Sequence, residues 1–139
     1  MRQGLAILIL AAGLAFGQAG AAEAKPDIFK GKLFPPNVIL EHQSGLGLSK
    51  EQFQAIKTAV VDVQANVAEH EWDMREAYLA IMTELDRSPV DESRVLQLVN
   101  DALLAENEVK KEQMTMLIRL RNLLTDEQVA FLEERLAAK

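Results

Sequence analysis

No glycine follows Gly47 in this chain of 139 residues, and the only proline beyond that point is Pro89. Glycine and proline are the residues that interrupt helices most readily, so Ser49 onward is predicted to form long helices with one break at Arg87-Ser88-Pro89-Val90. From Ser49 to about Asp86 the stripe Phe53, Ile56, Val60, Val63, Val67, His70, Met74, Ala77 and Ile81 alternates threes and fours, the spacing that lines one side of a helix. From about Asp91 to Leu123, Val95, Leu98, Ala102, Val109, Met116 and Leu120 share a face, which Leu103, Leu117 and Leu124 broaden. A third helix, Thr125 to about Ala137, buries Val129, Leu132 and Leu136. The short break folds the two long helices into an antiparallel hairpin.

Upstream, Phe34-Pro35-Pro36 opens a short helix from Pro36 to about Gln43, which Gly45 and Gly47 end. Residues 25–34 read as a flexible leader, and 35–139 as a single all-α domain. At 1.5 Å per residue the first long helix would reach about 55 Å, whereas a compact domain of about 115 residues has a radius of gyration near 13 Å. The expectation is an elongated molecule whose short N- and C-terminal helices cannot cover the hairpin. Some apolar stripe then stays exposed or meets a second copy, so a homodimer is expected.

The first residues fit a different role. Met1-Arg2, an apolar run from Leu5 to Phe16 and the small-residue end Ala22-Glu23-Ala24 form a signal-peptide layout over residues 1–24, with Ala22 as the alternative cut. The run is too short for a membrane span, and glycines break it. The remaining chain is expected to be periplasmic and free of membrane insertion. It has no cysteine, so no disulfide supports it. A formal charge of −6 without any basic run argues against nucleic acid.

Leu48-Ser49-Lys50-Glu51-Gln52 and Leu124-Thr125-Asp126-Glu127-Gln128 each read as a capping box opening a helix. In such a box the Ser or Thr hydroxyl accepts from the amide three residues on, and the Gln side chain returns to the cap amide. Leu48 and Leu124 stand where a hydrophobic staple would. This pair, with Leu33-Phe34-Pro35-Pro36, Glu41-His42-Gln43 and the stretch from Ile118 to Thr125, resembles the LTxxQ motifs of the periplasmic Spy/CpxP family over roughly Leu33 to Lys139. The resemblance implies a thin cradle built as an antiparallel dimer, and an ATP-independent chaperone of the envelope stress response that binds unfolded clients. It also implies, as an alternative, a heavy-metal sensor or resistance protein similar to CnrX or ZraP. Those carry His and Met ligands before the second element, where this chain has Met116 and Leu120.

Several side chains suit one or the other of these roles. Trp72, Met74, Tyr78, Met82, Met114 and Met116 are candidates for a client-binding or dimer surface, since aromatic and thioether groups adapt to varied partners. Ordinary core filling is the competing reading for the methionines. His70 and Met74 are four apart, with Glu69 and Glu71 beside the His, and His42 follows Glu41. A divalent zinc or copper ion is the ligand these would serve. The plainer expectation is no cofactor, with His70 a seam residue satisfied by a carboxylate and His42 complementing a helix C-terminus. Nothing resembles a nucleophile, a phosphate loop or an acid-base pair, so no enzyme is expected. A sensor kinase of the envelope-stress type is a further candidate partner. N-terminal sequencing of exported protein is expected to begin at Lys25, and a product that still begins at Met1 would contradict the signal peptide.

Overall fold

The computed structural model describes residues 29–138, so the signal-peptide segment and residues 25–28 lie outside it. Five helices follow in order: α1 Pro36–Glu41, α2 Gln43–Leu46, α3 Lys50–Leu85, α4 Glu92–Leu123 and α5 Asp126–Ala137. Among the described residues there is no strand, only an isolated bridge from Lys30 to Leu33. The all-α class and the two long helices packing together follow the sequence pattern, and the helix ends fall within a residue or two of those expected. Asp91 caps α4 by accepting from the Arg94 amide at 3.0 Å. The chain divides into two compact units, one comprising Ala65–Glu112 and the other residues 29–64 with 113–138.

The unit of Ala65–Glu112 contains the turn and the adjoining segments of α3 and α4. Its buried side chains are Val67 and Met74 from α3, with Leu98, Ala102, Ala105 and Val109 from α4. These positions keep the spacing of three and four, so a single seam joins the two segments. Half of this seam on α4 is alanine, and the helices meet there through small side chains. Leu103 lies outside the seam, half exposed, because it falls on the other side of the helix from Ala102 and Ala105. Asn66 Nδ2 donates to Glu112 Oε2 across the seam at 3.1 Å.

The other unit has the larger core. Phe34, Ile39, Val63, Leu120 and Leu132 are wholly buried, joined by Leu46, Ile56, Met116 and Leu124. Phe34 corrects the expected leader: Phe29 O accepts from the Lys32 and Leu33 amides, and the resulting turn delivers the ring into the core. Arg121 holds this segment, donating to Lys32 O at 2.7 Å with its guanidinium 5.9 Å from the Phe34 ring centre. Phe53, expected in the stripe, stays 37 % exposed, and in α5 only Leu132 of the three expected residues is fully buried.

The short N-terminal helix is two helices. α1 starts at Pro36, whose missing amide costs nothing at a first helical position. It ends at His42, whose Nδ1 lies 2.9 Å from Val38 O; a carbonyl only accepts, so Nδ1 carries the proton. Gly47, at φ 61°, terminates α2 in the left-handed conformation that favours glycine. Gly45 breaks nothing. It sits within α2 facing the Phe131 ring, and a Cβ there would overlap that ring. Arg135 covers Phe131, 5.0 Å from its centre, and His42 meets it edge-on at 6.4 Å.

Both capping boxes form. Ser49 Oγ accepts from the Gln52 amide and Gln52 Oε1 from the Ser49 amide, each at 3.0 Å. Thr125 Oγ1 accepts from the Gln128 amide at 3.2 Å, and Gln128 Oε1 from the Thr125 amide at 2.9 Å. The two boxes then close on each other. Gln52 Nε2 donates to Gln128 Oε1 at 2.7 Å and to Leu123 O at 2.9 Å, the last carbonyl of α4. Gln128 Nε2 donates to Gln52 Oε1 at 3.2 Å and to Leu46 O at 3.1 Å, the last carbonyl of α2. Each glutamine thus serves a helix start and a helix end, and Gln128 is the buried polar residue of the described chain.

Replacing Gln128 by Ala strips Leu46 O and the Thr125 amide of partners and is expected to cost about 2 kcal/mol. Gln52→Ala should cost less, because that box is more exposed. A double-mutant cycle by urea denaturation is expected to give a coupling of about 1 kcal/mol between them, and additive effects would show the interlock to be energetically empty.

Candidate interaction surface

At 100° per residue, the side of α3 opposite Val67 and Met74 carries Ala65, Ala68, Trp72 and Leu79, with Met82 at its edge. All five are exposed, Trp72 at 67 % and Leu79 at 61 %. The spacing of three, four, seven and three makes them one continuous apolar line, interrupted at Arg75. The Arg75 guanidinium lies over the Trp72 ring, 5.1 Å from its centre. On α4 the corresponding outward side carries Leu96, Leu103 and Leu104, each at least half exposed. Lone exposed apolar residues need no explanation, but runs at helical spacing do.

Charge is unevenly shared. Ala65–Glu112 carries twelve Asp and Glu against five Lys and Arg, while residues 29–64 and 113–138 carry seven of each. The turn-containing unit therefore bears a formal charge of −7 and the other unit none. Its Lys and Arg pairs join sequence neighbours through exposed cations: Lys110 with Glu106 at 3.5 Å and Lys111 with Glu108 at 2.9 Å on α4, and Arg87, just beyond α3, with Glu84 at 3.4 Å. The hydrogen bond from Lys111 and its charge hold the Glu108 carboxyl below the usual range, and His70 adds to this. Pairs whose cations stand in solvent stabilise little.

The candidate residues sort clearly by position. Trp72 and Met82 are exposed, and Tyr78 and Met114 are half-buried. Met74 and Met116, 4 % and 1 % exposed, fill the core instead of offering a surface, because both fall on the seam side of their helices. The motif residues Leu48, Ser49, Gln52, Leu124, Thr125 and Gln128 gather in the interlocked caps. His70 stands half-buried in its seam, 4.0 Å from Asp73, and contributes to the field at Glu108. His42 and His70 belong to different units, and among the described residues no three His, Asp or Glu side chains gather to hold a metal ion. Also among the described residues, no helix is long and apolar enough to cross a membrane.

The outward line of α3 was legible in the sequence as Val61, Ala65, Ala68, Trp72, Leu79 and Met82, a second heptad opposite the first. The bulkier seam stripe masks it because seam and outward line share one helix. The chain matches no family profile, no curated protein and no solved structure. Brief peroxide treatment read by mass spectrometry should oxidise Met82 at least about tenfold faster than Met74 or Met116, since access governs the reaction. Equal rates would place Met82 in a covered environment.

Proposed function

We propose that this protein is an ATP-independent holder of unfolded or partly folded polypeptides, exported to the periplasm and acting as a homodimer. The observation that carries the reading is the pair of outward apolar lines, Trp72-Leu79-Met82 on α3 and Leu96-Leu103-Leu104 on α4, set among charged side chains on helices whose seam is already filled. The motif resemblance to the Spy/CpxP family supports the same reading. In it, the α4 line joins two copies and the α3 line faces clients.

The physics of such a holder is weak and reversible. A client segment gains roughly 25 cal/mol for each Å² of apolar surface it covers, and loses ordering entropy in return. With no nucleotide to drive release, moderate affinity allows a client to leave and rebury its own core. Charged groups around the apolar line speed encounter and make it salt-dependent.

The test is light scattering from a denatured model protein diluted into buffer. Equimolar mature chain should suppress most of the aggregation at low salt, and suppression should weaken at about 0.5 M salt. An unchanged trace at both salts would remove the reading. Leu103→Glu is expected to convert a dimer of twice the formula mass to monomer in sedimentation, because it buries a charge in the proposed contact.

A further inference from the structure

The face of α3 from Ala65 to Met82 has a chemistry that selects among clients. Its apolar line is edged by Glu69 and Glu76 on one side and Glu71 on the other, as helical spacing places them. None of these three carboxylates has an ion pair among the described residues, and Arg75 is the only Lys or Arg on α3 within this unit. The surplus of seven negative charges is confined to this unit, so acidic groups outnumber the single Arg75 cation around the face.

We propose that this face docks cationic amphipathic segments of polypeptide. The proposal rests on the client-holding reading and names the class of client. Such a segment lays its apolar side chains along Trp72, Leu79 and Met82, while its Lys and Arg side chains reach Glu69, Glu71 and Glu76. A guanidinium or ammonium of the segment also takes up the open face of the Trp72 indole, which already accepts the Arg75 cation. An acidic segment meets like charge at both edges and is rejected. A second copy of the same face is disfavoured on the same ground, since it would bring six carboxylates together with only two Arg75 side chains to offset them.

Trp72 is the only tryptophan of the chain and lies in the proposed contact, so it reports binding directly. The mature full chain is titrated at low salt with a Lys/Leu amphipathic peptide and with a twin in which Glu replaces Lys. The Lys peptide should shift Trp72 emission to the blue and saturate, and the Glu twin should leave it unchanged. The triple substitution Glu69→Gln, Glu71→Gln and Glu76→Gln, and separately Leu79→Ser, should each weaken Lys-peptide binding at least about tenfold with the helical circular dichroism unchanged. Equal binding of the two peptides, or Lys-peptide binding that leaves Trp72 emission unmoved, overturns the proposal. So does a Trp72 shielded in the free chain and released by dilution, which would assign the face to a second copy.

Aggregation assays separate this inference from the broader reading. Protection of an acidic and a basic denatured protein alike, unaffected by the triple Gln substitution, leaves a holder without this selectivity. Charge-dependent peptide docking on Trp72 with no protection of either protein leaves the docking face and removes the holder.

Discussion

The side-chain amides of Gln52 and Gln128 satisfy each other and two helix ends at once, and the arrangement of α2, α4 and α5 around the start of α3 depends on that exchange. A glutamine offers one acceptor oxygen and two donor hydrogens, and here all are used. Each oxygen receives its own cap amide and the other glutamine; each nitrogen gives to the other glutamine and to a terminal carbonyl. Glutamate in either place would lose the donors and set a charge against a carbonyl. Asparagine would fall short by one methylene. No buried side-chain polar atom among the described residues lacks a partner, so a buried polar centre is compatible with a largely apolar core.

Much of the secondary structure was legible because it depends on local rules. The lack of glycine and proline after Gly47, save Pro89, set the helices, and the two cap sequences set the starts of α3 and α5. What was not legible depends on contacts distant in sequence. Each capping box could be read alone, but nothing in Ser49–Gln52 announces that its glutamine will meet one from the other end of the chain. Gly45 reads as a helix breaker until Phe131 is placed against it. Phe34, beside two prolines and after a polar stretch, gives no periodic signal, and its burial depends on Arg121 and on the core assembled by α1, α4 and α5.

The candidate surface was partly legible for a related reason. Trp72 and Met82 stand out by residue type, yet residue type alone placed Met74 and Met116 beside them. Angular position around the helix separates the pairs: Trp72 lies opposite the seam and Met82 on its flank, whereas Met74 and Met116 lie within it. A helix with apolar residues on two opposite sides fills one with its own chain and leaves the other exposed. The uneven charge of the two units adds a preference that the overall net charge conceals, because the acidic excess lies in Ala65–Glu112 alone.

The interlock also has a consequence for the order in which the molecule can be completed. Its two glutamines are 76 positions apart, and the second lies on the last helix. A chain emerging in the direction of synthesis can wind α3 and α4, close their seam and join Gln52 Nε2 to the Leu123 carbonyl, but the Leu46 carbonyl and the second hydrogen of the Gln52 side-chain amide still face water. Only when Asp126–Ala137 arrives do these groups find their partners. The twelve residues of α5 therefore act as a keystone set last, and until then the base of the hairpin stays open.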